Sequence, residues 1–171
     1  VMDDATAGLI STEEARELIE AINEQLGSEM IQFYQGLGHR HLMVWVGGKS
    51  RAVCTDPQLL VGRPIADVLP TGDGSDFLWK LMDASFQILR DHPLNDERSG
   101  AGQKPANCLW LWGQGKAILW PSLTERLKMS GVVVSPNDVH RGLGIMAGLE
   151  AVDGARLAGA LLRATGGGPI G

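Results

Sequence analysis

The residues in this chain best able to do chemistry crowd into Leu89–Gly115, LRDHPLNDERSGAGQKPANCLWLWGQG. His92, Asn95, Asp96, Glu97, Arg98 and Lys104 fall there ahead of the apolar run Cys108-Leu109-Trp110-Leu111-Trp112. A polar loop between a helix and a strand is a common seat for binding and catalytic groups, because rigid neighbours position them. The same pattern also describes an ordinary surface loop before a core strand. Two further arginines sit at the edges of predicted elements: Arg40 before HLMVWV, and Arg141 in the first turn of a predicted helix, where backbone N–H groups favour anions. A guanidinium matches a carboxylate or phosphate with its planar fork of donors. Taken singly, each of these arginines is more commonly a solvated surface residue.

His39, His41 and His92 have the chemistry of metal ligands or acid–base groups. His39 and His41 alternate across a strand start and share one face. No carboxylate–histidine pattern of a two-metal site accompanies them, so no metal site is expected in this chain. His92, before Pro93, can equally cap the preceding helix through its last carbonyls. Asp138 and Arg141 are three apart and can simply pair, while Asn107 and Gln114 can serve backbone groups at strand ends. Asp96 and Asp138 are the candidate counter-charges for the arginines.

The elements that must position these groups follow from periodicity. Ser11 and Glu14 have capping-box spacing, and Ala15, Leu18, Ile19, Ile22 and Leu26 recur at helical spacing up to Gly27, predicting a helix over 12–26. Residues 30–34 and 41–46 read as strands, with the second forming a hairpin with 51–54 through Gly47-Gly48-Lys49. Residues 55–74 read as loop. Phe77, Leu78, Leu81, Met82, Phe86, Ile88 and Leu89 predict a helix over 75–91, stopped by His92-Pro93. A strand over 107–112 follows, then a short helix over 121–128, a buried strand at 132–134 and a helix from about 138 to 150. The first and second of these strands should be central, with Trp110 or Trp112 buried against the helix 75–91. The segment 155–164 reads as helical and 165–171 as a flexible tail. The fold class is therefore α/β, a mixed β-sheet with flanking helices, in a single domain over 1–171.

Composition narrows the function classes. A chain of 171 residues, 44% hydrophobic and 20% charged, suits a folded domain. A net charge of −5 argues against a nucleic-acid surface but leaves room for a local cluster of arginines. Cys54 and Cys108 read as buried free thiols of a reducing, cytoplasmic compartment, and with no C-x-x-C pair a structural zinc site is not expected. No apolar run approaches a membrane span, and the start lacks the layout of a signal peptide. Val1 at the first position suggests a fragment of a larger protein.

HPLNDER, GQKPAN and LWLWGQG, with TAGLISTEEA at 6–15, GHRHLMV at 38–44 and VVVSPNDVHRGLGIMAGLE at 132–150, resemble collinear segments of the archaeal-type cofactor-independent phosphoglycerate mutases. Those enzymes belong to the alkaline phosphatase superfamily. Arg40, Arg98 and Arg141 all fall inside the matched segments, which shifts the balance toward binding. The resemblance implies the insert domain of such an enzyme, with the phosphorylated serine and divalent metal ions (manganese, zinc or magnesium) in an absent phosphatase-like domain of the same chain. It implies a phosphoglycerate or related small anion as ligand, held by Arg40, Arg98, Arg141, His92 and Asn95, and no cofactor or catalytic residue in this fragment. Nucleic acid and membrane are not expected partners.

Three departures bear on that implication. The family generally has lysine at position 141, which keeps the charge but not the donor geometry. Gln58 stands where the family usually has a histidine, and an amide cannot act as a general acid or base. DGARLAGALLRATGGGPIG replaces the family's continuation after Glu150. The alternative function is thus an anion-binding module of a diverged paralogue that lacks mutase activity.

Overall fold

In the computed structural model, which describes residues 1–152 and 154, the first helix begins with a reciprocal cap. The Ser11 hydroxyl accepts the Glu14 N–H and the Glu14 carboxylate accepts the Ser11 N–H. Helix α1, Thr12–Leu26, follows and buries Ala15, Leu18, Ile19 and Ile22. This is the helix and the cap that the spacing predicts. Asn23 on its inner face bonds both backbone groups of Phe33, at 2.5 and 2.9 Å, and so pins the next strand to the helix.

Strand β1, Ile31–Gln35, pairs antiparallel with β2, His41–Trp45; Ile31 lies opposite Trp45 and Gln35 opposite His41. The predicted hairpin between 41–46 and 51–54 is therefore corrected. Val53 makes only an isolated bridge to Thr71. Pairing β1 with β2 puts Ile31, Phe33, Met43 and Trp45 on one apolar face against α1, whereas in 51–54 only Ala52 is buried. Helix α2, Ser75–Arg90, completes the core with Leu78, Leu81, Met82, Ser85 and Leu89. Phe77 meets Trp45 with ring centroids 4.5 Å apart.

Residues 89–115 depart from expectation in two places. The polar segment after His92 is a helix, α3, Pro93–Gly100, with Pro93 in its first turn. Its buried face is Leu94, Asn95 and Arg98, two of them polar, so hydrophobic periodicity could not reveal it. Residues 107–112 form no strand. Side chains replace a ladder there: Asn95 Oδ1 accepts the Ala106 N–H at 2.8 Å and Ser85 Oγ accepts the Leu109 N–H at 2.9 Å. Leu109 and Leu111 face the core, while Trp112 is 51% exposed and Trp110 is half-buried with its indole N–H on the Thr55 carbonyl. The leucines, not the tryptophans, anchor this segment.

These elements make one compact unit, Val1–Lys116, and a second unit begins at Ala117. The second unit holds α4, Leu123–Leu127, β3, Val132–Val134, α5, Asp138–Met146, and β4, Glu150–Val152. β3 and β4 pair in parallel, Val132 beside Glu150 and Val134 beside Val152. The helix expected to run to 150 stops at 146, ahead of Gly148 at φ 85°, and β4 takes the following residues. β3 is not buried as expected: Val132 is 54% and Val134 41% exposed. Gly144 lets α5 approach β3, since a Cβ there would lie 2.6 Å from Val133 Cβ. The chain is thus α/β, with an antiparallel and a parallel pair of strands in two small sheets flanked by helices. The helix expected at 155–164 and the tail at 165–171 lie outside the described residues.

Candidate functional site

Arg40 ends the loop that joins β1 to β2. Its side chain is exposed and makes no hydrogen bond or ion pair among the described residues. The loop beneath it is tied down. The Gly36 N–H donates to His41 Nδ1 at 3.3 Å, the Gly38 N–H to Thr12 Oγ1 at 3.1 Å and the Arg40 N–H to the Leu37 carbonyl at 3.1 Å.

Arg98 is placed differently. It is 3% exposed, and all three of its nitrogens are occupied inside the protein. Nε donates to the Lys104 carbonyl at 3.0 Å, Nη1 to Glu14 Oε1 at 2.7 Å and Nη2 to the Ala7 carbonyl at 2.6 Å. The last bond holds a turn in which Ala7, Gly8 and Leu9 all have positive φ. Asn95 is 4% exposed and donates to the Leu89 and Ala106 carbonyls. His92 caps α3, its Nδ1 accepting the Leu94 N–H at 3.3 Å, rather than capping the helix before it through a side-chain bond. Arg141 belongs to the second unit. It is half-buried in α5, and its Nε is buried without a hydrogen-bond partner among the described residues. The structure therefore groups His92, Asn95 and Arg98 on α3, puts Arg40 on a loop of the same unit, and puts Arg141 in the other unit.

The residues matched so far have relatives. The family model for 2,3-bisphosphoglycerate-independent phosphoglycerate mutase matches residues 1–95. The chain belongs to that family. It is 45% identical over 152 residues to a probable 2,3-bisphosphoglycerate-independent phosphoglycerate mutase of Geobacter sulfurreducens, covering 89% of this chain and 38% of the relative. It is 38% identical over 153 residues to the Methanosarcina barkeri enzyme of the same description, covering 88% and 38%. The solved cofactor-independent phosphoglycerate mutase of Thermoplasma acidophilum superposes with a TM-score of 0.56 at 25% identity, over 87% of this chain and 42% of that one. The chain thus spans about 38% of the length of these curated relatives.

In this phosphoglycerate mutase family chain, no three His, Cys, Asp or Glu side chains gather to hold a metal among the described residues. The described residues do not fit a metal centre. Cys54 and Cys108 are free but not buried as expected: Cys54 is half-buried and Cys108 exposed. The Cys108 thiol still turns inward toward Ser85 Oγ, at 3.7 Å, and burial raises its pKa, so it is not a ready nucleophile.

The charge partners were the part sequence reasoning missed. Arg98 pairs with Glu14, 84 residues away, not with Asp96, which is exposed. Lys104 pairs with Asp3 at 3.0 Å and Asp4 at 3.3 Å. The Thr6 hydroxyl and N–H, with help from Lys104, lower the Asp4 carboxyl to about 2. The Asp4-x-Thr6 spacing was the available signal, since an Asp commonly accepts from the N–H two residues on.

Burial, with His39 nearby, pushes His41 down to about 4. Burial and Arg40 lower His39 as well, against a smaller opposing pull from Asp4. Both rings are neutral at pH 7 and cannot hold an anion by charge. The consequence for stability has a definite sign. A histidine whose folded pKa lies below its unfolded value contributes fully above pH 6.5 and loses that contribution as pH falls toward 4. The urea midpoint of the chain should therefore fall as the pH is lowered from 6.5 to 4. His41→Asn should flatten the slope in that window, leaving the part due to His39. An unchanged slope would mean that His41 is not buried in the neutral form.

Proposed function

We propose that this chain is the substrate-binding insert of a phosphoglycerate mutase, and that the parent moves the phosphoryl group between the 3- and 2-hydroxyls of glycerate. The nucleophile and the divalent metals belong, on this reading, to the remaining length that the curated relatives possess. Phosphoryl transfer depends largely on positioning and charge neutralisation, so an insert can be essential without holding the nucleophile. The observation that carries the reading is Arg40, an exposed guanidinium without a partner among the described residues, on a loop fixed at its backbone. The buried Nε of Arg141 supports it, as a donor lacking an acceptor among the described residues. The proposed set of Arg40, Arg98, Arg141, His92 and Asn95 then divides by task. Within the first unit Arg40 meets the anion, and Arg98, His92 and Asn95 hold the frame; Arg141 is a separate candidate in the second unit. The working place, on this reading, is the cytoplasm, in keeping with Cys54 and Cys108 as free thiols.

Titration of the chain with 3-phosphoglycerate at low salt, followed by NMR, tests this reading. Arg40→Ala should weaken binding by about 1.5–3 kcal/mol, the worth of a charge-assisted hydrogen bond. The chain alone should show no mutase turnover; measurable turnover would overturn the division of labour. The second reading, an anion-binding module without mutase chemistry, is favoured by Gln58. It sits exposed in the turn Pro57–Leu60 with a neutral amide that cannot move a proton. Turnover by the full-length parent would remove that reading.

A further inference from the structure

We infer that Thr12 is a positioning residue for Arg40: its hydroxyl oxygen, together with His41 Nδ1, holds the Gly36–Arg40 loop in the form that presents the Arg40 guanidinium. The inference rests on the reading of Arg40 as an anion-holding group.

Thr12 is the first residue of α1, but α1 does not need its hydroxyl. Ser11 caps the helix, and Glu14 closes the capping box. The Thr12 hydroxyl is instead turned to another segment, accepting the Gly38 N–H from 26 residues further along. The carbonyl of the same residue accepts from Gln35 Nε2 at 3.0 Å, just before the loop, and Gln35 Oε1 in turn accepts from Arg16 Nε at 3.2 Å. One residue of α1 therefore holds both Gly38 in the loop and Gln35 at the strand end that leads into it. Gly38 permits the approach. It sits at φ 54°, and a Cβ on it would lie 3.3 Å from the Ile10 carbonyl oxygen, so the loop packs directly on the entrance to α1.

The far end of the loop is held by His41, whose ring nitrogen accepts the Gly36 N–H. A neutral ring is required for that bond, because a protonated Nδ1 has no lone pair to offer. Burial keeps the ring neutral. The Arg40 N–H closes back on the Leu37 carbonyl. The N–H groups of residues 36, 38 and 40 are thus all bonded, two of them to side chains. The Arg40 side chain projects from this fixed base, without a hydrogen-bond or ion-pair partner among the described residues. A guanidinium on an ordered backbone loses less freedom on meeting an anion than one on a loose loop, which is the physical content of preorganisation.

The test compares the wild-type chain with Thr12→Val, Thr12→Ser and Arg40→Ala. Valine has the shape of threonine and lacks the acceptor, and the Ser11 cap stays intact. Inorganic phosphate and 3-phosphoglycerate are titrated separately at low salt, following the Gly38 and Arg40 amides by NMR, with urea unfolding run alongside. Thr12→Val should bind about threefold to tenfold more weakly, the equivalent of one ordinary hydrogen bond. Its Gly38 amide should exchange faster while its unfolding midpoint stays near that of the wild type, and Thr12→Ser should restore the affinity. If Arg40→Ala abolishes binding while Thr12→Val binds like the wild type, the positioning role is wrong and the reading of Arg40 stands. If affinity and unfolding midpoint fall together in Thr12→Val and serine does not restore them, Thr12 is structural only and the inference fails. If neither anion shifts the wild-type amides, or if Arg40→Ala binds as well as the wild type, the reading of Arg40 falls and takes the inference with it.

Discussion

Replacing Arg98 with alanine should destabilise the first unit by about 3 kcal/mol, with a matching fall in the urea midpoint. Breaking a buried ion pair costs roughly 3–5 kcal/mol when the partner charge is left stranded. Glu14 retains 28% side-chain exposure, so water recovers part of that loss and the lower end applies. The Ala7 and Lys104 carbonyls lose their donor as well. Arg98→Lys should recover little, because one ammonium cannot reach three acceptors held by three different segments. The result separates two roles for this residue. A variant that unfolds like the wild type but fails to bind phosphoglycerate would make Arg98 a ligand-contacting group. A variant that unfolds early would make it the tie between α3, the start of α1 and the left-handed turn at Ala7–Leu9.

Asn95→Ala should cost about 3 kcal/mol as well, by a different route. The Asn95 amide joins the end of α2 to the segment after α3, donating to the Leu89 and Ala106 carbonyls and accepting the Ala106 N–H. Leaving a buried backbone group unsatisfied costs about 1–3 kcal/mol; the Ala106 N–H and carbonyl lose their partner here, while the Leu89 carbonyl keeps the His92 N–H. Asn95→Asp keeps the shape but turns both donors into an anion facing two carbonyls, so it should be at least as damaging at pH 7. Segment 106–112 has no ladder of its own, so its loosening should be visible as a change in Trp110 fluorescence before the rest of the unit unfolds. Loss of stability with no change around Trp110 would show that the segment is held elsewhere.

Both variants bear on why some of this molecule could be read from its residues and some could not. The sequence by itself determined α1, its capping box, α2 and the stop at His92-Pro93, because the forces that set them act within a few residues: apolar spacing, a cap, a proline. It determined the family too, through motifs spread along the chain. Tertiary structure decided the rest. β2 chose β1 over 51–54 because only that pairing gave a continuous apolar face for α1. LWLWG had strand-like composition, yet Ser85 and Asn95 took the hydrogen bonds that a neighbouring strand would have made. α3 carries no apolar periodicity because two of its three buried residues are an asparagine and an arginine, whose place inside depends on partners elsewhere in the chain. The arginines show the same limit. Nothing local distinguishes Arg40 from Arg98, and the difference between an exposed donor and a buried tie is set by whether Glu14, Ala7 and Lys104 come within reach.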